Sequence, residues 1–171
     1  GENVRFRYGT PEKIGGWNQL GQDKLTGAAR GLHHFVNKSS TKFAAIGTNR
    51  ILYVYSGGVY YDIHPLVNPS GTAITSAFST TNGSPTVTIT ANSNGFQAGD
   101  IVLFGDTSTF SSITNSNFTA ADFADKKFMV TSIVDTNNFT ITMPSNETGS
   151  GATTSGGITY YRYYHVGPAE Q

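Results

Sequence analysis

Residues 43–65, FAAIGTNRILYVYSGGVYYDIHP, constrain the fold of this chain more than any other stretch. Three short runs, residues 43–46, 51–55 and 59–63, are rich in aromatic and β-branched side chains, which favour strands. Between them stand Gly47-Thr48-Asn49 and Ser56-Gly57-Gly58, residues that tolerate the positive φ of tight hairpin turns. A fourth run, residues 32–36, precedes them. Together they predict a four-stranded antiparallel meander like one propeller blade. The stretch holds no nucleophile beside a base, no metal-ligand spacing and no phosphate loop.

At 171 residues the chain accommodates one ordinary domain or two small modules. Two modules of half that size would each bury a smaller share of their surface and would lean on each other or on partners. The apolar share is 37%, and Ser, Thr, Asn and Gly take up much of the rest, while Tyr (9) and Phe (11) supply bulky core material. That is the composition of an all-β protein with many turns. Eleven basic and eleven acidic residues cancel, so the basic footprint of a duplex-DNA binder is missing. No apolar run is long enough to span a bilayer, and the start has no basic–apolar signal pattern. With no cysteine, disulfides and thiolate chemistry are excluded, which fits a protein made in the cytosol.

Along the chain, Val4, Phe6 and Tyr8 alternate with Arg5 and Arg7 as in a strand, which Gly9-Thr10-Pro11 is expected to break. Pro65, Asn68, Pro69, Ser70 and Gly71 mark a hinge. Beyond it, residues 86–90, TVTIT, predict a two-faced strand, and residues 101–104, IVLF, a strand buried on both sides. Residues 106–117 read as a polar loop. Residues 119–127 read as a short helix with Thr119 as cap and Asp122 at N3. Residues 128–134 and 139–143 predict a hairpin, residues 145–157 a loop, and residues 158–166 a closing strand. The expected organisation is an N-terminal blade-like meander over residues 1–69 and a small β-barrel or sandwich over residues 72–166. Residues 167–171, with Gly167-Pro168, read as the start of a continuation.

The segments TPEKIGGW (residues 10–17), RGLHHFVN (residues 30–37) and AIGTNRILYVYSGGVYYDIHPL (residues 45–66) resemble the N-terminal part of the tail hub or head-closure proteins of short-tailed bacteriophages, the packaged-DNA stabilisation type. His64 stands where that pattern often has Thr. The second half is similar to a small β-domain inserted in many phage tail proteins, through NGFQAGDIVLF (residues 94–104), KKFMVTSIVDTNNFTIT (residues 126–142) and the Gly-rich return over residues 149–157. The resemblance implies a propeller-like ring stacked under the portal, which closes the DNA exit channel and carries the tail tip. Proteins of that kind are considerably longer, so the chain resembles an N-terminal portion or a shortened version.

His33 and His34 are adjacent, so on a strand they face opposite sides and cannot easily share one ion. His64 and His165 stand alone in sequence. Asp100, Asp106, Asp122 and Asp125 lack calcium-loop spacing, and Asp100 reads as a turn residue; a carboxylate pair assembled in space stays open. Gly15-Gly16 and Gly57-Gly58 lead into no helix and read as turns rather than phosphate loops. The expectation is therefore of no catalytic residue, metal or cofactor.

The run Tyr160-Tyr161-Arg162-Tyr163-Tyr164 is richer in amphipathic rings than one buried face requires. These five residues and Trp17 are the candidates for an interface. The same run equally suits a central strand between two modules. Arg5 and Arg7 could face a DNA channel. The expected function is that of a non-enzymatic virion protein in the tail hub or adaptor of a short-tailed phage. Its expected partners are identical copies in a ring and neighbouring portal and tail proteins, with packaged DNA as passing cargo and no membrane. Its expected location is the virion tail, assembled in the bacterial host cytoplasm. The alternatives are a carbohydrate- or receptor-binding β module on a virion or cell surface, and an enzyme degrading surface polysaccharide with two carboxylates facing across a cleft.

Overall fold

A computed structural model describes residues 4–13, 15, 24–105, 113, 116–146, 149–152 and 156–165. The fold is all-β. Its first unit is the expected meander, β3 (Ala29–Val36), β4 (Lys42–Thr48), β5 (Leu52–Ser56) and β6 (Val59–Asp62), paired antiparallel in that order; β1 (Val4–Arg7) and β2 (Thr10–Lys13) precede it. Gly57 and Gly58 close β5 onto β6 with φ of 60° and 93°, the left-handed pair that a two-residue hairpin turn demands.

The turn between β4 and β5 lies later than the glycine at position 47 suggested, because β4 runs on through Thr48. The Thr48 hydroxyl accepts the backbone N–H of Ile51 at 2.8 Å and of Arg50 at 3.0 Å, so a buried threonine closes this turn. β3 starts earlier than expected: Asn49 accepts the Ala28 N–H on its side chain and donates its own N–H to the Ala28 carbonyl, which draws the chain into register from Ala29.

The start of the chain also differs from expectation. The strand does break at Gly9, in a tight turn of Tyr8 and Gly9 with φ of 51° and 81°, but Thr10 and Pro11 already belong to β2, which returns along β1. Pro11 is tolerated because it faces Phe6, one step from the Arg7–Thr10 pair that flanks the turn. That step is a non-hydrogen-bonded pair, where the missing N–H costs no ladder bond.

The second unit is one eight-stranded sheet. Its strands are β7 (Thr72–Thr75), β8 (Phe78–Thr80), β9 (Thr86–Thr90), β10 (Ile101–Phe104), β11 (Lys127–Ile133), β12 (Asn138–Thr142), β13 (Gly151–Ala152) and β14 (Gly157–Arg162), in the spatial order 13-8-9-12-11-10-14-7. β7 closes one end of that order and β8 lies next to the other, yet only Ser76 and Ala77 join them. So short a link brings the two ends of the sheet together, and the sheet curls into a barrel around its apolar side chains. Val87, Ile89, Phe104, Phe139 and Ile141 fill it and are fully buried. Helix α1 (Ala120–Phe123) is a single turn at the start of residues 119–127, because Ala124 turns extended and Asp125 takes φ 52°. It delivers Phe123 to within 4.7 Å of the Phe78 ring. The stretch expected as a loop over residues 145–157 contains β13, which pairs with β8.

β10 explains why IVLF is apolar throughout. Val102 and Phe104 point into the barrel, while Ile101 and Leu103 point out of it, toward the meander. There Ile101 meets Ile51, Tyr53 and Tyr163 in a second small core, each such burial contributing roughly 1.5–3 kcal/mol. Polar ties surround this junction. Arg50 donates to the Gly99 carbonyl at 2.6 Å, Lys127 pairs with Asp62 at 2.6 Å, and His165 Nδ1 lies 2.7 Å from Asp100. The meander is thus held to the barrel by one side of its sheet.

Candidate interaction surfaces

Cross-strand register sorts the meander residues onto two faces. Ile46, Tyr53, Tyr60 and Asp62 share the face that packs on the barrel. The opposite face carries His33, Phe35, Phe43, Ala45, Leu52, Val54, Ser56, Val59 and Tyr61, and Ile63 extends it by donating its N–H to Leu52. It contains no charged residue. Phe35 and Phe43 stack at 5.3 Å, yet Tyr61 is 54% and Ile63 49% exposed. Apolar sheet faces in soluble proteins are normally covered, and contiguous uncovered ones mark places where another surface sits.

The edge of the same sheet is equally open. All eight residues of β3 are exposed, and Leu32 is 74% exposed although its strand neighbour Ile46 belongs to the junction core. Among the described residues only β4 pairs with β3, which leaves an eight-residue edge strand, a length that native edge strands usually avoid. His33 and His34 lie on opposite faces, as their adjacency required. Among the described residues no group of three or more His, Cys, Asp or Glu is placed to hold a metal ion.

The β1–β2 hairpin is the third uncovered element. Phe6 is 75% and Tyr8 95% exposed, and among the described residues its hydrogen bonds run within itself, Arg5 to Glu12 and Thr10 to the Arg7 carbonyl. Arg5 is therefore ion-paired inside the hairpin.

The six expected interface residues do not form one platform. Trp17 lies outside the described residues. Tyr160 is buried inside the barrel, 5.7 Å from the Phe96 ring, and Tyr163 is buried in the junction core. Tyr161 is half-buried against Gly71 and Gly105, and Arg162 donates to the Asn94 carbonyl while lying over Phe96. Tyr164 alone of the described five is exposed, at 55%. Tyr160 and Tyr163 thus serve two different cores, one inside the barrel and one at the junction. Tyr163 donates its hydroxyl to Asp62 at 2.7 Å, and burial, reinforced by that acceptor, holds the phenol well above its ordinary pKa.

Three of the acidic residues are committed to structure. Asp100 accepts the Gln97 N–H in its turn and faces His165. Asp122 accepts the Thr119 N–H at 2.7 Å, which lowers its pKa, and Asn138 does the same for Asp135. Asp106 lies outside the described residues. Asp62 and Asp125 do share a cleft of about 640 Å³ between meander and barrel, with Tyr53, Tyr60, Lys126 and Lys127. Both Asp62 oxygens are already occupied, one by Lys127 and Tyr163 and the other by the His64 N–H. Sequence reasoning missed this cleft because its walls come from residues 24–26, 53–62 and 125–128. No helix among the described residues is long and apolar enough to cross a membrane.

No protein-family model matches the sequence, and no curated protein matches it. Among solved structures, the chain is similar to part of a phage phi92 endosialidase, at 19% identity and a TM-score of 0.40, over 94% of this chain and 22% of that one. The chain thus spans about a fifth of the length of that protein, and at this score the likeness falls short of a shared fold.

Proposed function

We propose that the chain is a structural component of a phage virion, part of the tail hub or adaptor of a short-tailed phage, where identical copies meet in a ring beneath the portal and help retain packaged DNA. The observation that carries this reading is the meander. One face is fixed to the barrel, while among the described residues nothing covers the opposite apolar face or the eight-residue edge β3. Surfaces of that kind are stabilised by neighbours of complementary shape. The resemblance of residues 10–17, 30–37 and 45–66 to tail hub proteins supplies the kind of assembly. Neighbouring portal and tail proteins are the further partners, and DNA passes through without tight binding, in keeping with zero net charge. The proposed location is the virion tail, after assembly in the host cytoplasm. Negative-stain electron microscopy of the concentrated chain tests the reading: closed rings of like copies are expected, and a uniform field of single chains overturns it.

The cleft favours a second reading, a carbohydrate-binding module. Tyrosine rings beside charged groups are what a sugar recognises, and Tyr60 lines the opening with Asp125 and Lys126. A glycan array that gives no signal, or a signal unchanged by Tyr60→Ala, removes it.

A further inference from the structure

We infer that the β1–β2 hairpin is an exchanged arm, which in the assembly lies on the uncovered meander face of a second copy of this chain. The inference rests on the assembly reading and specifies the contact. A two-stranded hairpin is marginal in water unless its apolar side is covered. Here Val4 and Phe6 share one side of β1, Pro11 lies opposite Phe6, and Val4 and Phe6 are exposed among the described residues. Among the described residues the meander carries one broad apolar surface that nothing covers, centred on Phe35, Val54 and Tyr61. Each surface lacks what the other supplies.

The sizes agree. A hairpin with four residues in each strand covers roughly 13 by 10 Å, within the roughly 14–19 Å width of four strands. With the apolar side of the arm facing down, Arg5, Arg7 and Glu12 of the other side stay in water, while Lys13, which shares the docking side opposite Val4 at the open end of the hairpin, has a stem long enough to keep its ammonium at the wet rim. Thr26 and Ala28 are hydrogen-bonded to the meander, so residues 14–23 are the length of chain that joins the arm to it, about 33 Å at full extension. Such a contact is heterologous: each copy gives its arm to one neighbour and its face to another, which is the arrangement that closes rings. One such contact is smaller than the roughly 1,600 Å² of a stable pair. It therefore binds weakly by itself and gains strength when the ring closes.

The chain has no cysteine, so introduced thiols report only on each other. A mixture of the single variants Phe6→Cys and Tyr61→Cys, oxidised at a concentration where the chain associates, is expected to give a disulfide-linked pair. The double variant is expected to give a ladder of linked chains. Linked monomers from the double variant would place the arm on its own meander and overturn the inference. So would association that persists unchanged in Phe6→Asp; in that case copies still assemble and the reading of the protein as an assembly component stands. If the unmodified chain remains single at every concentration, both fall. Tyr61→Asp and Phe6→Asp should each weaken association at least tenfold with an unchanged far-UV circular dichroism spectrum. Mixed together they should form pairs and nothing larger, since one arm and one face survive.

Discussion

Tyr163 sits where the two units touch, and its environment sets its chemistry. Its ring is buried among Ile51, Tyr53 and Ile101, and its hydroxyl donates to an Asp62 that Lys127 also holds. Tyr163→Phe removes one donor to a charged acceptor and should cost about 1.5–3 kcal/mol in denaturant unfolding. Because the folded-state pKa of the phenol is raised, the folded chain keeps its proton where the unfolded chain loses it. Stability from this group is complete below about pH 10 and falls as pH rises above it. Unfolding titrations should show that alkaline loss in the native chain and less of it in Tyr163→Phe. Asp122 and Asp135 work in the other direction. Their folded pKa values are lowered by Thr119 and Asn138, so their contribution is present above about pH 4 and is lost as pH falls below it. Asp135→Asn should flatten the acid side of the stability curve. None of this was readable in the sequence except Asp122, whose place three residues after Thr119 announces a cap. Tyr163 was visible only as one ring in an aromatic run, since its partners arrive from residues about a hundred positions away.

Strands announced themselves where the chain repeats a short-range signal. The β5–β6 hairpin is written in Gly57-Gly58 between aromatic runs, and β9 in the alternation of threonine with Val87 and Ile89. β7, β8 and β13 were not legible, because each is four residues or fewer and takes its strand form from a partner distant in sequence. β10 was legible as a strand buried on both sides, but not that its two sides serve different cores. That division predicts two kinds of damage. Phe104→Ala removes a ring from inside the barrel and should cost about 3–5 kcal/mol, lowering the whole unfolding transition. Ile101→Ala should cost about 2–5 kcal/mol and act chiefly on the junction, so that amides of β5 and β6 exchange faster than those of β9 and β12. On the uncovered side, Leu52→Lys should change stability by no more than about 0.5 kcal/mol, since a half-exposed side chain has little packing to lose.

At the scale of the whole molecule, the barrel has a complete core and the meander half of one. Ridges of phenylalanine fill the barrel, whereas the meander contributes only one face to a small shared cluster and leaves the other to solvent. A four-stranded sheet covered on one side, with an open edge and an exposed hairpin beside it, has the surfaces of a part that is finished by contact with others. The sequence indicated a blade-like unit but not which surface stays open, since that depends on how β10 and β14 meet β5. Hydrogen exchange compared between dilute and concentrated chain tests the central claim most directly. If like copies meet through the meander, amides of β3 and of the β1–β2 hairpin slow with concentration while those of the barrel interior do not change. Equal exchange of β3 in both samples contradicts it.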